Sequence, residues 1–155
     1  MKNTVNKFWY RWLIVVTAGT ALFGLEFVIL PDAVHSLYSF LLFGTTDARS
    51  IFGENYQFVT FVYGVLGAVL FGWAVSLMVI LLNGFRKGQP DAWLAFAVSL
   101  ALWYVIDSAL SVYWGFGMNA VFNTVFAVLF AIPLSATYRD FFPSDNAQER
   151  ILATE

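Results

Sequence analysis

The chain is 155 residues long, 60% hydrophobic and 12% charged, with a net charge of −2 and no cysteine. Soluble domains carry roughly a quarter charged residues and slightly under half apolar ones, so a mean hydropathy of +0.73 reads as an integral membrane protein. The eight Lys and Arg are scattered at the ends of apolar runs, which excludes a nucleic-acid surface, and the lack of cysteine excludes disulfides, thiolate metal sites and cysteine nucleophiles.

Crossing a hydrocarbon core about 30 Å thick takes roughly 20 apolar residues at 1.5 Å each. Residues 12–30 meet that length first, behind Lys2, Lys7 and Arg11. This run is longer than a signal-peptide core and no small-x-small cleavage site follows, so it reads as a retained span. Pro31 and Asp32 stop that helix, with Asp32 placed to cap the next. Residues 33–43 (AVHSLYSFLLF) are too few to cross and read as an interfacial or re-entrant helix, ended by Gly44, Thr45, Thr46 and Asp47.

Residues 58–82 form the second span, and the loop 83–91 carries Gly84, Arg86, Lys87, Gly88 and Pro90. Residues 92–114 form the third. The turn Gly115, Phe116, Gly117 is so short that the fourth span, 119–138, must run antiparallel beside it. Residues 143–155 turn polar and read as a cytoplasmic tail. The expectation is an all-α, integral membrane four-helix bundle, one domain over residues 1–142. Lys2, Lys7, Arg11, Arg86, Lys87, Arg139 and Arg150 fall on one side of this scheme and only Arg49 on the other. Positive charge stays inside, so both termini are expected in the cytoplasm, at a bacterial inner membrane.

Helices in lipid associate through small residues and interhelical hydrogen bonds. The second span offers Gly64, Ala68, Gly72 and Ser76 at four-residue spacing, and the fourth offers Asn119, Asn123, Ala127, Ala131 and Ser135. These stripes are expected to pack helices, within the chain or between copies. Pro133 leaves the carbonyl of Leu129 without its helical donor and should kink the fourth span.

A carboxylate at membrane depth costs on the order of 3 kcal/mol even on the lenient insertion scale, so two acids stand out. Glu26 is placed about 6 Å, and Asp107 about 10 Å, below the outer ends of their helices by helical rise. Thr60 and Tyr63 on the second span and Asn119 and Asn123 on the fourth fall in the same layer. The amides of Asn119 and Asn123 can reach a carboxylate across the short turn. A polar pocket in the outer half of the bundle follows. His35 is the only histidine, too little for a metal centre or paired haem ligation. No nucleophile triad or phosphate loop is present. No metal or cofactor is expected.

With Arg11 entering a Gly-containing first helix, a long outer connection and a Gly-rich second helix, residues 11–138 resemble the small bacterial membrane proteins grouped as DoxX-like. That group is functionally mixed, so the resemblance implies the four-span plan and no functional residue. Two functions fit the residues. One is a structural or accessory membrane subunit, a homo-oligomer or the partner of another membrane protein. The other is a binding protein, transporter component or lipid-active enzyme in which Glu26 and Asp107 engage a small lipophilic ligand or a proton, while Thr60, Tyr63, Asn119 and Asn123 orient it.

Overall fold

The computed structural model describes residues 5–143; Lys2, Arg150 and the expected tail beyond residue 143 lie outside them. Among the described residues every regular element is helical. Helix α1 (Lys7–Ile29) begins where the Asn6 side chain accepts the backbone N–H of Phe8 at 3.0 Å, satisfying one of the donors a helix start leaves bare. Helix α2 (Pro31–Phe43) opens differently from the expectation, which put its cap at Asp32: Leu30 flanks it, and Pro31 and Asp32 both lie in its first turn. Proline is preorganised there and loses no hydrogen bond, while an acid in that turn faces the positive end of the helix dipole.

Gly44, at φ 75°, ends α2 in the left-handed conformation that glycine adopts without strain. The short helix α3 (Ala48–Phe52), capped by Asp47, leads through a 3-10 turn into α4 (Tyr56–Asn83). Helices α5 (Pro90–Tyr113) and α6 (Gly117–Phe141) follow. Four segments, Lys7–Ile29, Ala48–Lys87, Pro90–Tyr113 and Gly117–Phe141, are long and apolar enough to cross a membrane.

Helix α1 lies along α4 and also touches α6, and α5 lies along α6, whereas α4 and α5 meet sparsely. Val5, Phe85 and Phe141 share one buried cluster, and Asn6 N–H donates to Asp140. The start of α1, the α4–α5 turn and the end of α6 therefore form one end of the bundle, the basic end, with Lys7, Arg11, Arg86, Lys87 and Arg139. At the opposite end, α2 packs on α1, α4 and α6.

The α1–α4 crossing is set by two glycines. A Cβ on Gly24 would lie 2.7 Å from the Phe71 nitrogen, and one on Gly67 would collide with Phe27 and the Gly24 carbonyl. The buried face of α4 is Gly67, Ala74, Leu77 and Leu81. The expected stripe does not make a contact within the chain: Ala68, Gly72 and Ser76 are exposed, Gly64 is half-buried, and a Cβ on Gly64 or Gly72 would meet nothing within 4 Å. A four-residue step advances about 40° around a helix each time, so over its three steps this stripe turns about 120° and does not follow the α1 contact. The seven, three, four spacing of the buried residues keeps to one side. On α6, likewise, Ala127 is half-buried and Ala131 exposed. Both border a surface groove against α5, while Asn123, Phe130, Pro133, Leu134, Thr137 and Phe141 face the interior.

The basic end is packed dry. Leu13, Leu77, Leu81, Phe85, Phe96, Phe130 and Leu134 are buried together, with ring centroids of Phe85 and Phe141 4.6 Å apart and of Phe96 and Phe130 5.7 Å apart. Pro133 sits in this core, and the carbonyl it frees has found a donor: Trp12 Nε1 on α1 donates to Leu129 O at 2.9 Å. One turn on, Trp93 Nε1 on α5 donates to Leu134 O at 3.0 Å, and Thr137 Oγ1 donates to Pro133 O at 2.8 Å. Indoles from both neighbours thus clamp the proline turn of α6.

Candidate functional site

Between this dry core and α2 lies a cavity of about 190 Å³. Its walls are mostly rings, including Phe23, Phe27, Trp73, Trp103, Phe122 and Phe126, and its polar groups come from four helices: Thr20 on α1, Tyr38 on α2, Asp107 on α5, Asn119 and Asn123 on α6. The sequence places these groups by simple rules. Thr20 belongs to the buried row of α1 formed by Leu13, Thr17, Thr20, Gly24 and Phe27. Asn119 and Asn123 are one helical turn apart on one face. The turn after α5, held by Phe116 N–H donating to Ser111 O at 2.7 Å, folds α6 back beside Asp107.

Asn119 Nδ2 donates to Asp107 Oδ1 at 3.1 Å and to Ser111 Oγ at 2.8 Å, which uses both of its hydrogens. Ser111 has one proton, and its shorter approach is to the Asp107 carbonyl at 2.7 Å rather than to Oδ1 at 3.2 Å. Asp107 Oδ1 is therefore held chiefly by the amide, and Oδ2 makes no hydrogen bond among the described residues. Asn123 is 4% exposed, yet its Nδ2 has no partner among the described residues. A bare buried amide donor costs about 1–3 kcal/mol, so this site is not optimised for stability.

Glu26 does not join the layer. It is exposed, because position 26 is turned about 100° from Phe27 and farther from Gly24, and only depth along the helix places it beside Asp107. Thr60 and Tyr63 form part of a second cluster, centred on a residue that sequence spacing left isolated in the connection. His35 is 1% exposed; its Nε2 lies 2.8 Å from Thr60 Oγ1, and its ring stacks on Tyr56 at 4.6 Å and tilts against Tyr63 at 5.0 Å. Thr60 gives its only proton to Tyr56 O at 2.8 Å, so His35 must donate through Nε2, leaving Nδ1 as a bare, buried acceptor. Burial lowers the pKa of His35; Asp32 raises it in part and Arg49 lowers it further.

This cluster connects the surface to the cavity. The Arg49 guanidinium lies 4.3 Å over Tyr56, whose hydroxyl donates to Asp32 Oδ1 at 2.5 Å. Next come His35, Tyr63 and then Tyr38, 5.5 Å from Tyr63 and itself on the cavity wall. Burial first, then Tyr63 and Asp107, push the Tyr38 phenol up, so it remains a donor at neutral pH. Tyr38 and His35 were missed as site residues. The signal available was the spacing of Val34, His35, Tyr38 and Ser39, one face of a helix too short to span.

Among the described residues no three His, Cys, Asp or Glu come together to hold a metal ion. What the site offers is an aromatic chamber with one free carboxylate oxygen, an amide and a phenol. Comparison with protein-family models, characterised proteins and solved structures gives no match to this chain.

Proposed function

We propose that the chain is a four-span membrane protein that binds a small lipophilic molecule in the outer half of its bundle. The observation that carries this reading is the cavity of about 190 Å³ in which Tyr38, Asp107, Asn119 and Asn123 meet a ring-lined wall. Intramembrane carboxylates are expensive and mark functional sites by default, and apolar cavities with a few convergent polar groups are the usual form of a small-molecule site. The proposed orientation has both termini on the cytoplasmic side of a bacterial inner membrane. Its support is the gathering of Lys7, Arg11, Arg86, Lys87 and Arg139 at one end against Arg49 near the other. Helix α2 is proposed to lie in the outer interface, since it has 13 residues, with Leu37 and Phe40 exposed and Asp32 paired to Tyr56.

Mass analysis of organic extracts from the detergent-purified protein tests the reading. About one lipophilic molecule per chain is expected, lost in Asp107→Asn and retained in Glu26→Gln, with folding intact in both. A second reading, an accessory subunit, is supported by the outward Gly64, Ala68, Gly72 and Ser76 face, which no helix of the chain covers among the described residues. A chain that carries no small molecule but forms a defined oligomer, broken by Gly72→Leu, favours that second reading.

A further inference from the structure

The polar atoms around the cavity are not matched to one another, and the mismatch has a chemical shape. Asn119 has spent both amide hydrogens. What remains are acceptors, Asp107 Oδ2 and the amide oxygens of Asn119 and Asn123, and donors, the Asn123 NH₂, the Tyr38 hydroxyl and the Trp103 indole, none of which makes a hydrogen bond among the described residues. Among the described residues no Lys, Arg or His lines the cavity, so a carboxylate or phosphate head would find no counter-charge. An ammonium head, which only donates, would serve Asp107 and the amide oxygens and leave the Asn123 NH₂, Tyr38 and Trp103 donors bare. A hydroxyl donates one proton and accepts at two lone pairs, so it meets both kinds of group at once.

Resting on the binding role proposed above, we infer that the occupant is a lipophilic alcohol. Its O–H donates to Asp107 Oδ2. Its oxygen accepts from Tyr38 and from Asn123, whose amide turns about its roughly two-fold last torsion to present the unpaired NH₂. The hydrocarbon part has a way out. Trp103 and Asp107 also border a surface groove with the apolar side chains Leu102, Ile106 and Leu110. An alkyl chain leaving the cavity there stays in an apolar environment throughout.

The test is binding of radiolabelled dodecanol to the protein in phosphatidylcholine nanodiscs, with empty discs subtracted and with dodecyl methyl ether and dodecane as competitors. Dodecanol is expected to saturate near one per chain. The ether can accept but not donate, and is expected to compete about tenfold less well, the size of one hydrogen bond; dodecane is expected to be weaker still. Asn123→Leu keeps the branched side-chain shape, its larger methyls have the adjoining cavity to enter, and it removes a buried unpaired donor, so its thermal unfolding should be no lower than that of the unmodified chain. It should nevertheless bind dodecanol about tenfold less well and narrow the gap between ether and alkane. Equal competition by all three compounds, or an unchanged affinity in Asn123→Leu, overturns the alcohol while leaving a lipophile-binding cavity standing. Absence of saturable binding by any of the three overturns both.

Discussion

The two ends of the bundle join the same helices by different means. At the basic end, phenylalanines and leucines from α1, α4, α5 and α6 fill the interior, and the one backbone carbonyl freed by Pro133 is met by the Trp12 indole. Toward α2 the same helices line a chamber, and among the described residues polar atoms of Asn123, His35 and Ser39 are buried without partners. Side chains there are not short of donors, since Asn119 satisfies two acceptors at once. The contrast is between a region filled mainly by apolar side chains, in which the Thr17 hydroxyl is the buried polar atom without a partner among the described residues, and one in which several polar groups surround a cavity.

The sharpest break of this scheme is at the α1–α4 crossing that supports both ends. Gly67→Leu has no space against Phe27 and Gly24 and is expected to cost more than about 3 kcal/mol, read as loss of monodisperse protein and of cooperative thermal unfolding in detergent. Gly72→Ala, with nothing within 4 Å of the new methyl, should instead gain about 0.5–1 kcal/mol from reduced chain entropy. Next in size, Phe96→Ala in the dry core should cost about 3 kcal/mol. Phe122→Ala on the cavity wall should cost about 1 kcal/mol, because it enlarges a space that already exists. Equal costs in thermal unfolding would erase the distinction between the two ends.

Trp12→Phe leaves Leu129 O bare and should cost about 1–2 kcal/mol. In a Pro133→Ala background, where the backbone donor returns, the same change should cost much less, and a double-mutant cycle measures the difference. The smallest effect is one of pH. Burial lowers the pKa of His35 below its ordinary 6.5, so the unfolded chain binds the proton more tightly. The stabilisation is fully present above pH 6.5 and is lost as pH falls toward the folded value. Unfolding temperature should decline on acidification through that window, and the His35→Gln chain, tested the same way, should show a flatter profile.

Fold class was legible because hydropathy and breakers act locally: four long apolar runs separated by Pro, Gly and charge leave little choice but four long helices. The Asp107–Asn119 contact was legible because a three-residue turn forces adjacent helix ends together. Depth along a helix, however, says nothing about rotation, and that is where Glu26 went astray. Rotation also hid the true glycine crossing, since Gly24 and Gly67 can be paired only once the two helices are set against each other. His35 and Tyr38 owe their place to tertiary packing of α2 across three other helices, which no local pattern encodes, although their spacing on one helical face hinted at a buried side.

Fluorine NMR with 5-fluorotryptophan compares the two ends in one experiment. Trp73 and Trp103 line the cavity, whereas Trp12 and Trp93 clamp the proline turn of α6, and single Trp→Phe variants assign each resonance. On titration with dodecanol, the signals of Trp73 and Trp103 are expected to shift saturably while those of Trp12 and Trp93 stay fixed. Resonances that all move in proportion to added alcohol, or that all remain still, would contradict a ligand-binding half set against a closed one.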